Sequence, residues 1–436
     1  MKYLHYFQSN IQILFQWLKN TKNNLLVLNN LLILFAFSLT ISYRISGSIL
    51  WIIILVFLLN PELKQRLLFA LKNRIVQAFI LYFSVFVIWS IGSDDMQKAL
   101  YFIKYNQPLL YSIIFVAIIQ KEFTNKIIYA FIFGMLLNVF WSYFMFFGLV
   151  SSPWNQGYTY LPLLHKTDHG FFVLILLGYA LYRIVKDKNK GKNLTTFFFI
   201  TIFLLESFNI FITGSRTSML TYFVMLFVSL LIIYRQQFFK ISLIASLLSI
   251  ILLSSVYFFI PSVIKNVTNE YNNIVASFTD GDYDSSSGAR IGMVSYSIPV
   301  IKENFLFGVG TGDHIDAVEK QVLNSENFKD KEKYTEVLRV FSAGAGASLH
   351  NNYVQQMVQF GVFGIFVIFY LVYQIFRFPN YAQESYRFLA FLISILTLVV
   401  MIPGYDFGFN NFGKFFVFMI SILIAQDFQT KKIQKL

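Results

Sequence analysis

The chain reads as an all-α polytopic membrane protein with about twelve transmembrane helices and one large, partly helical loop between spans nine and ten. Three observations predict this. Hydrophobic residues make up 56% of the 436 positions and charged residues only 13%, whereas soluble domains carry roughly 25% charge. Apolar runs of about 20 residues recur along the chain, the length a helix needs to cross ~30 Å of hydrocarbon. Polar chemistry is concentrated in one place: 12 of the 22 acidic residues lie between Pro261 and His350. Helices are the expected element because each satisfies its own backbone hydrogen bonds in lipid.

The predicted spans fall near 24–42, 45–60, 75–92, 106–120, 127–150, 168–185, 195–213, 217–234, 240–260, 352–376, 385–402 and 411–428. This divides the chain into a first helical block, 1–260, a polar loop, 261–351, and a second block, 352–436, that ends in a short basic tail. The start does not read as a cleavable signal, since Lys2, Lys19 and Lys22 precede an apolar run without a small-residue cleavage site. Orientation follows from Lys and Arg in the short loops. With both termini inside, cytoplasmic segments carry 21 basic residues and the opposite short loops carry 6. That bias places 261–350 outside the cytoplasm, together with Arg216, the His165–His169 turn and Asp406. The net charge of +13 sits in short loops between apolar runs, which argues against nucleic acid as partner, and zero cysteines exclude disulfides and thiolate metal sites.

Several polar residues therefore converge on one membrane face. Arg216, in Thr213-Gly214-Ser215-Arg216-Thr217-Ser218, occupies a very short turn between apolar runs. It is either an interfacial anchor or an anion ligand, because guanidinium forks phosphate bidentately and a following helix would offer free N–H groups. Arg290 follows Ser285-Ser286-Ser287-Gly288-Ala289, a capping pattern ahead of the apolar stretch Ile291–Ile301. A cation in a helix's first turn is unfavourable by the dipole rule, so Arg290 is either kept for an anion or is a solvated loop residue. His350 closes the polar loop just before span ten, and imidazole is the side chain best suited to take a proton near neutral pH. The alternative is a structural histidine at the interface. Asn351 and Asn352 are read as sugar-binding or ring-orienting groups, or as helix caps. Asp406, in Pro403-Gly404-Tyr405-Asp406, is either a partner for the arginines or for His350, or a turn residue.

Other features carry weaker signals. Gly308-Val309-Gly310-Thr311-Gly312 does not follow a strand in a βαβ pattern, so it reads as a tight turn permitting close backbone packing rather than a nucleotide loop. His165 and His169, four apart with Asp168 between them, read as polar lining in preference to a metal site. Glu206 lies inside span seven, where an ionisable group is a functional candidate by default.

Ser215-Arg216, then Gly288-Ala289-Arg290 with the stretch to Glu303-Asn304-Phe305-Leu306-Phe307-Gly308-Val309-Gly310, then Leu349-His350-Asn351-Asn352 leading to Gly361, resemble the O-antigen ligase and polymerase superfamily in order and spacing. The resemblance is nearest to the ligases that act on lipid A core. It implies a twelve-span glycosyltransferase of the bacterial inner membrane with a periplasmic loop between spans nine and ten and both termini cytoplasmic. The implied donor is a glycan on undecaprenyl pyrophosphate and the implied acceptor a sugar hydroxyl of lipid A core, with no metal and no other cofactor. By the same resemblance Arg216 and Arg290 match arginines that hold the pyrophosphate, His350 matches the general base, and Asp406 resembles a functional acid near the end of the chain. Two other readings remain open: a polymerase joining lipid-linked repeat units, and a transporter or flippase, for which Glu206 would serve coupling. Transporters often show repeated halves, and the two halves here look unlike.

Overall fold

The computed structural model describes residues 16–151, 163–234, 261–325, 330–344, 347–377, 384–408 and 411–428, with isolated positions between 235 and 260 and Phe328. The ninth expected span, 240–260, and the terminal basic residues Lys2 and Lys431–Lys435 lie largely or wholly outside the described residues. Every regular element among the described residues is helical: α1 Thr21–Leu39, α2 Tyr43–Leu58, α3 Leu63–Leu71, α4 Arg74–Ile88, α5 Met96–Tyr105, α6 Tyr111–Ile118, α7 Thr124–Phe146, α8 Lys166–Asn189, α9 Asn193–Ile212, α10 Arg216–Ile233, α11 Pro261–Thr279, α12 Ser286–Glu303, α13 His314–Leu323, α14 Thr335–Phe341, α15 Asn352–Phe376, α16 Glu384–Val400 and α17 Phe412–Phe428, with short 3₁₀ turns between some of them.

Six of these helices are long and apolar enough to cross a membrane among the described residues: α1, α7 with its preceding turn, α8, α9, α10 and α15. The bent pair α2 with α3 passes the same test only when the two helices are taken together. The sequence places a span near 45–60 followed by a loop. Helix α2 fills that span, but in place of the loop the chain turns by 117° and continues as helix α3, where Asn60-Pro61 interrupts the backbone hydrogen-bond ladder. Apolar helices of 10–17 residues occupy 74–88, 107–118 and 412–425, within the third, fourth and twelfth expected spans. At 1.5 Å per residue, a 15-residue helix covers about 22 Å, short of the ~30 Å core.

The bundle's interior is one large apolar cluster that includes Phe35, Phe79, Phe86, Phe115, Phe172 and Phe415. Its outer face exposes Trp51, Leu55, Phe197, Leu204, Leu220 and Phe366, as expected where lipid rather than water is the solvent. Buried polar groups join helices: Asn29 on α1 donates to the Ile118 carbonyl at 3.0 Å and accepts from the Gln120 N–H at 3.0 Å. Such ties hold better in a dry interior than in water, because the unpaired alternative is expensive.

The polar segment after α11 folds around a small core of its own. Met293, Val300, Val318, Val322, Tyr334 and Val337 bury one another there. It is docked to the bundle by the glycine-rich turn. Val309 and Gly310 donate to the Val358 and Gln359 carbonyls of α15 at 2.8 and 3.0 Å, and Val362 donates back to Phe305 at 3.0 Å. These bonds exist because α15 is broken at Gly361, whose φ of 61° and ψ of −150° release the helix's own partners. A side chain at Gly308 would meet the Gln359 backbone at 2.3 Å. The glycines serve close packing, in agreement with the turn reading. A second dock joins Lys98 to Asp316 at 2.6 Å, beside Asp313, which accepts from Ser93 at 2.9 Å.

Candidate functional site

Where the polar segment meets the bundle, a cavity of about 490 Å³ is lined by His165, Thr167, Ser215, Arg216, Ser286, Arg290, His350 and Tyr405, among others. The residues that the sequence singles out as Arg216, Arg290 and His350 thus share one enclosure although 134 positions separate the first from the last.

Each is delivered there by a helix start. Ser215 caps α10, its hydroxyl accepting from the Ser218 N–H, so Arg216 is the first helical residue. Ser285 caps α12 in the same way through the Gly288 N–H, and Arg290 sits one turn in. Asn351 caps α15, accepting from Val354 at 3.2 Å, and His350 immediately precedes it. His165 stands at the start of α8. Four helix N-termini therefore surround the cavity, each equivalent to roughly +0.5 charge, and two guanidinium groups add to them. The site is electropositive in its backbone as well as its side chains, which suits an anion.

His350 is held in an unusual backbone state. It is the only non-glycine residue with positive φ, at 51°, among the described residues. Its N–H donates to Ser348 Oγ at 3.2 Å, and Ser348 donates in turn to Gln355 Oε1 at 3.1 Å. On the other side Gly404 presses so closely that a Cβ there would lie 2.8 Å from the His350 Cα. Strained residues of this kind cost of order 1–3 kcal/mol and cluster at functional sites. Burial, then the charges of Arg290 and Arg339, hold the imidazole pKa below its ordinary 6.5, with Glu336 opposing them. The ring is neutral at neutral pH and free to accept a proton.

Glu270, on α11, carries no distinguishing signal in the sequence, yet the fold brings it to Arg216 beside the cavity. One carboxylate oxygen pairs with the Arg216 guanidinium, and the other accepts from the Ser287 hydroxyl. The Ser287 hydrogen bond and the charges of Arg216 and Arg290 hold its pKa below the ordinary carboxylate value, against partial burial.

The remaining expected residues divide. Asn351 is the cap described above. Asn352 is buried, its N–H bonded to the Met401 carbonyl at 2.9 Å and its side chain to Gln356 at 3.2 Å, away from the cavity lining. Asp406 accepts from the Gly408 N–H at 3.0 Å and lies beside the Tyr105 hydroxyl, while its neighbour Tyr405 lines the cavity. His165 lines it too, bonded to Thr167 at 2.6 Å. His169 is buried behind, with its ring nitrogens on Asn209 at 2.6 Å and Asn138 at 3.4 Å, an arrangement that occupies both metal-binding positions. Glu206 is fully buried in α9, and neither carboxylate oxygen has a hydrogen-bond partner among the described residues.

A larger cavity, about 580 Å³, opens at the other end of the bundle between Tyr182, Tyr234, Glu384 and Arg387. Glu384 is already paired there with Lys186 at 2.6 Å. Among the described residues its lining includes no histidine.

These features describe an integral membrane protein with a cavity at which helix starts, two arginines and a histidine meet. Residues 199–369 match the family model for O-antigen ligase. The matched stretch contains Arg216, Glu270, Arg290 and His350. No curated protein matches the chain.

Proposed function

We propose that this protein is an O-antigen ligase of the bacterial inner membrane, moving a glycan from undecaprenyl pyrophosphate to a sugar hydroxyl of lipid A core on the periplasmic side. The observation that carries the reading is the gathering of Arg216, Arg290 and His350 around one cavity at four helix N-termini. The family match over 199–369 supports the reaction class.

In this reading Arg216 and Arg290 hold the donor diphosphate, and His350 accepts the proton of the attacking hydroxyl. The hydroxyl oxygen bonds to the anomeric carbon as the carbon–oxygen bond to the diphosphate breaks. The bonding pair leaves on the phosphate oxygen, and the anomeric centre inverts. Negative charge grows on the leaving diphosphate, so fixed cations stabilise the transition state more than the bound donor. A positioned general base contributes typically 10²–10⁴-fold.

A deletion strain tests the acceptor. Loss of a ligase leaves lipid A core with no attached repeats. Core that still carries one repeat, without longer chains, would instead make the enzyme a polymerase of lipid-linked units.

A further inference from the structure

We propose that Glu270 is a built-in occupant of the diphosphate subsite, which the donor must displace to bind. The inference rests on the reading of the cavity as a diphosphate site. Glu270 spans the first turns of two helices, one oxygen on Arg216 of α10 and the other on Ser287 of α12. These are the groups that a phosphate would engage, because carboxylate and phosphate share the bidentate geometry that guanidinium recognises. With no donor bound, the carboxylate is the partner of the Arg216 guanidinium.

The described side chains of the helix that carries Glu270, 268–279, are mostly exposed. Its principal neighbour is α12, and Tyr271, Ile274, Val275 and Phe278 are all exposed. Their spacing puts them on one face, which is at least partly open among the described residues. Glu270 ties α11 to the start of α10 through Arg216, and a competing anion releases it. A diphosphate carries at least two charges against one and more acceptor oxygens. Once it is delivered it outcompetes the carboxylate, and after transfer the returning carboxylate helps to expel the spent diphosphate carrier.

The test is inorganic diphosphate binding to the full-length protein in lipid nanodiscs, for wild type, E270Q, E270D and R216A. Glutamine keeps the size and removes the competing charge. E270Q should bind diphosphate about tenfold more tightly than wild type, the scale of one lost charge-assisted bond, with E270D between them and R216A weakest. Unfolding midpoints without ligand identify any variant that has failed to fold, in which case E270D carries the comparison. If E270Q and E270D bind no more tightly than wild type while R216A binds poorly, the occupant role is overturned and the diphosphate site stands. If R216A binds as wild type does, the site reading itself fails.

Discussion

Replacing His350 by glycine and by alanine separates a residue kept for folding from one kept for chemistry. Both changes remove the imidazole, so the packing lost is nearly the same and the difference between them isolates the backbone. The φ of 51° costs an L residue about 1–2 kcal/mol. Glycine adopts it freely but loses about 0.5–1 kcal/mol more chain entropy on folding than alanine. H350G should therefore be about 0.5–1 kcal/mol more stable than H350A, a rise of roughly 1–2 °C in the unfolding midpoint. Both should lose glycan transfer by about 10²–10⁴-fold, and added imidazole should restore part of the rate to H350G, where the vacated space adjoins the cavity. The assays are thermal unfolding in detergent and transfer with purified lipid-linked glycan. If H350G melts well below H350A, or if both variants transfer at the wild-type rate, the view that strain is retained there for catalysis is wrong.

The charges around the same ring give a pH signature. Because burial, Arg290 and Arg339 depress the His350 pKa, transfer should persist below pH 6.5 and fall only as the pH drops through the depressed value. Arg339 pairs with Glu336 at 2.5 Å and is not part of the cavity lining. R339A should move the acid limb of the kcat/KM profile to higher pH, and E336Q should move it lower, with the plateau unchanged in both; identical acid limbs in all three proteins would contradict the assignment. G404A should slow transfer by about 10²-fold, the penalty of a displacement near 1 Å, since its Cβ would lie 2.8 Å from the His350 backbone; a wild-type rate would show that the turn does not position the ring. G308A should destabilise the fold by about 3 kcal/mol, from the left-handed backbone and the overpacking together, because its Cβ would meet Gln359 at 2.3 Å; an unchanged unfolding midpoint would refute the docking role of the turn.

What the sequence discloses here follows from local patterns. Ser285 before Gly288-Ala289-Arg290 marks a helix start, and α12 begins at Ser286. Ser215 does the same for α10. The positive residues before apolar runs show which loops are candidates, and Arg216, Arg290 and His350 do line one cavity. What stays hidden depends on distant partners. Glu270 looks like any of the 12 acids of its segment until the fold brings it across 54 positions to Arg216. The break at Gly361 is invisible to hydropathy, because the residues on both sides are apolar and the freed groups are met by the turn at 305–310. The turn of 117° between α2 and α3 likewise follows a single Asn60-Pro61 signal, which fits a loop as well as a sharp bend. The left-handed backbone of His350 has no local signature, since it is imposed by Gly404 and Gln355 from either side.

The most direct measurement is single-turnover glycan transfer by the purified protein in proteoliposomes, with undecaprenyl-pyrophosphate-linked glycan as donor and lipid A core as acceptor. Wild type should form the linked product, H350A should fall by about 10²–10⁴-fold, and R216A and R290A should each fall by about 10²–10³-fold, the usual loss for one transition-state charge partner. Transfer at the wild-type rate by all three variants, at equal membrane levels, would contradict the account.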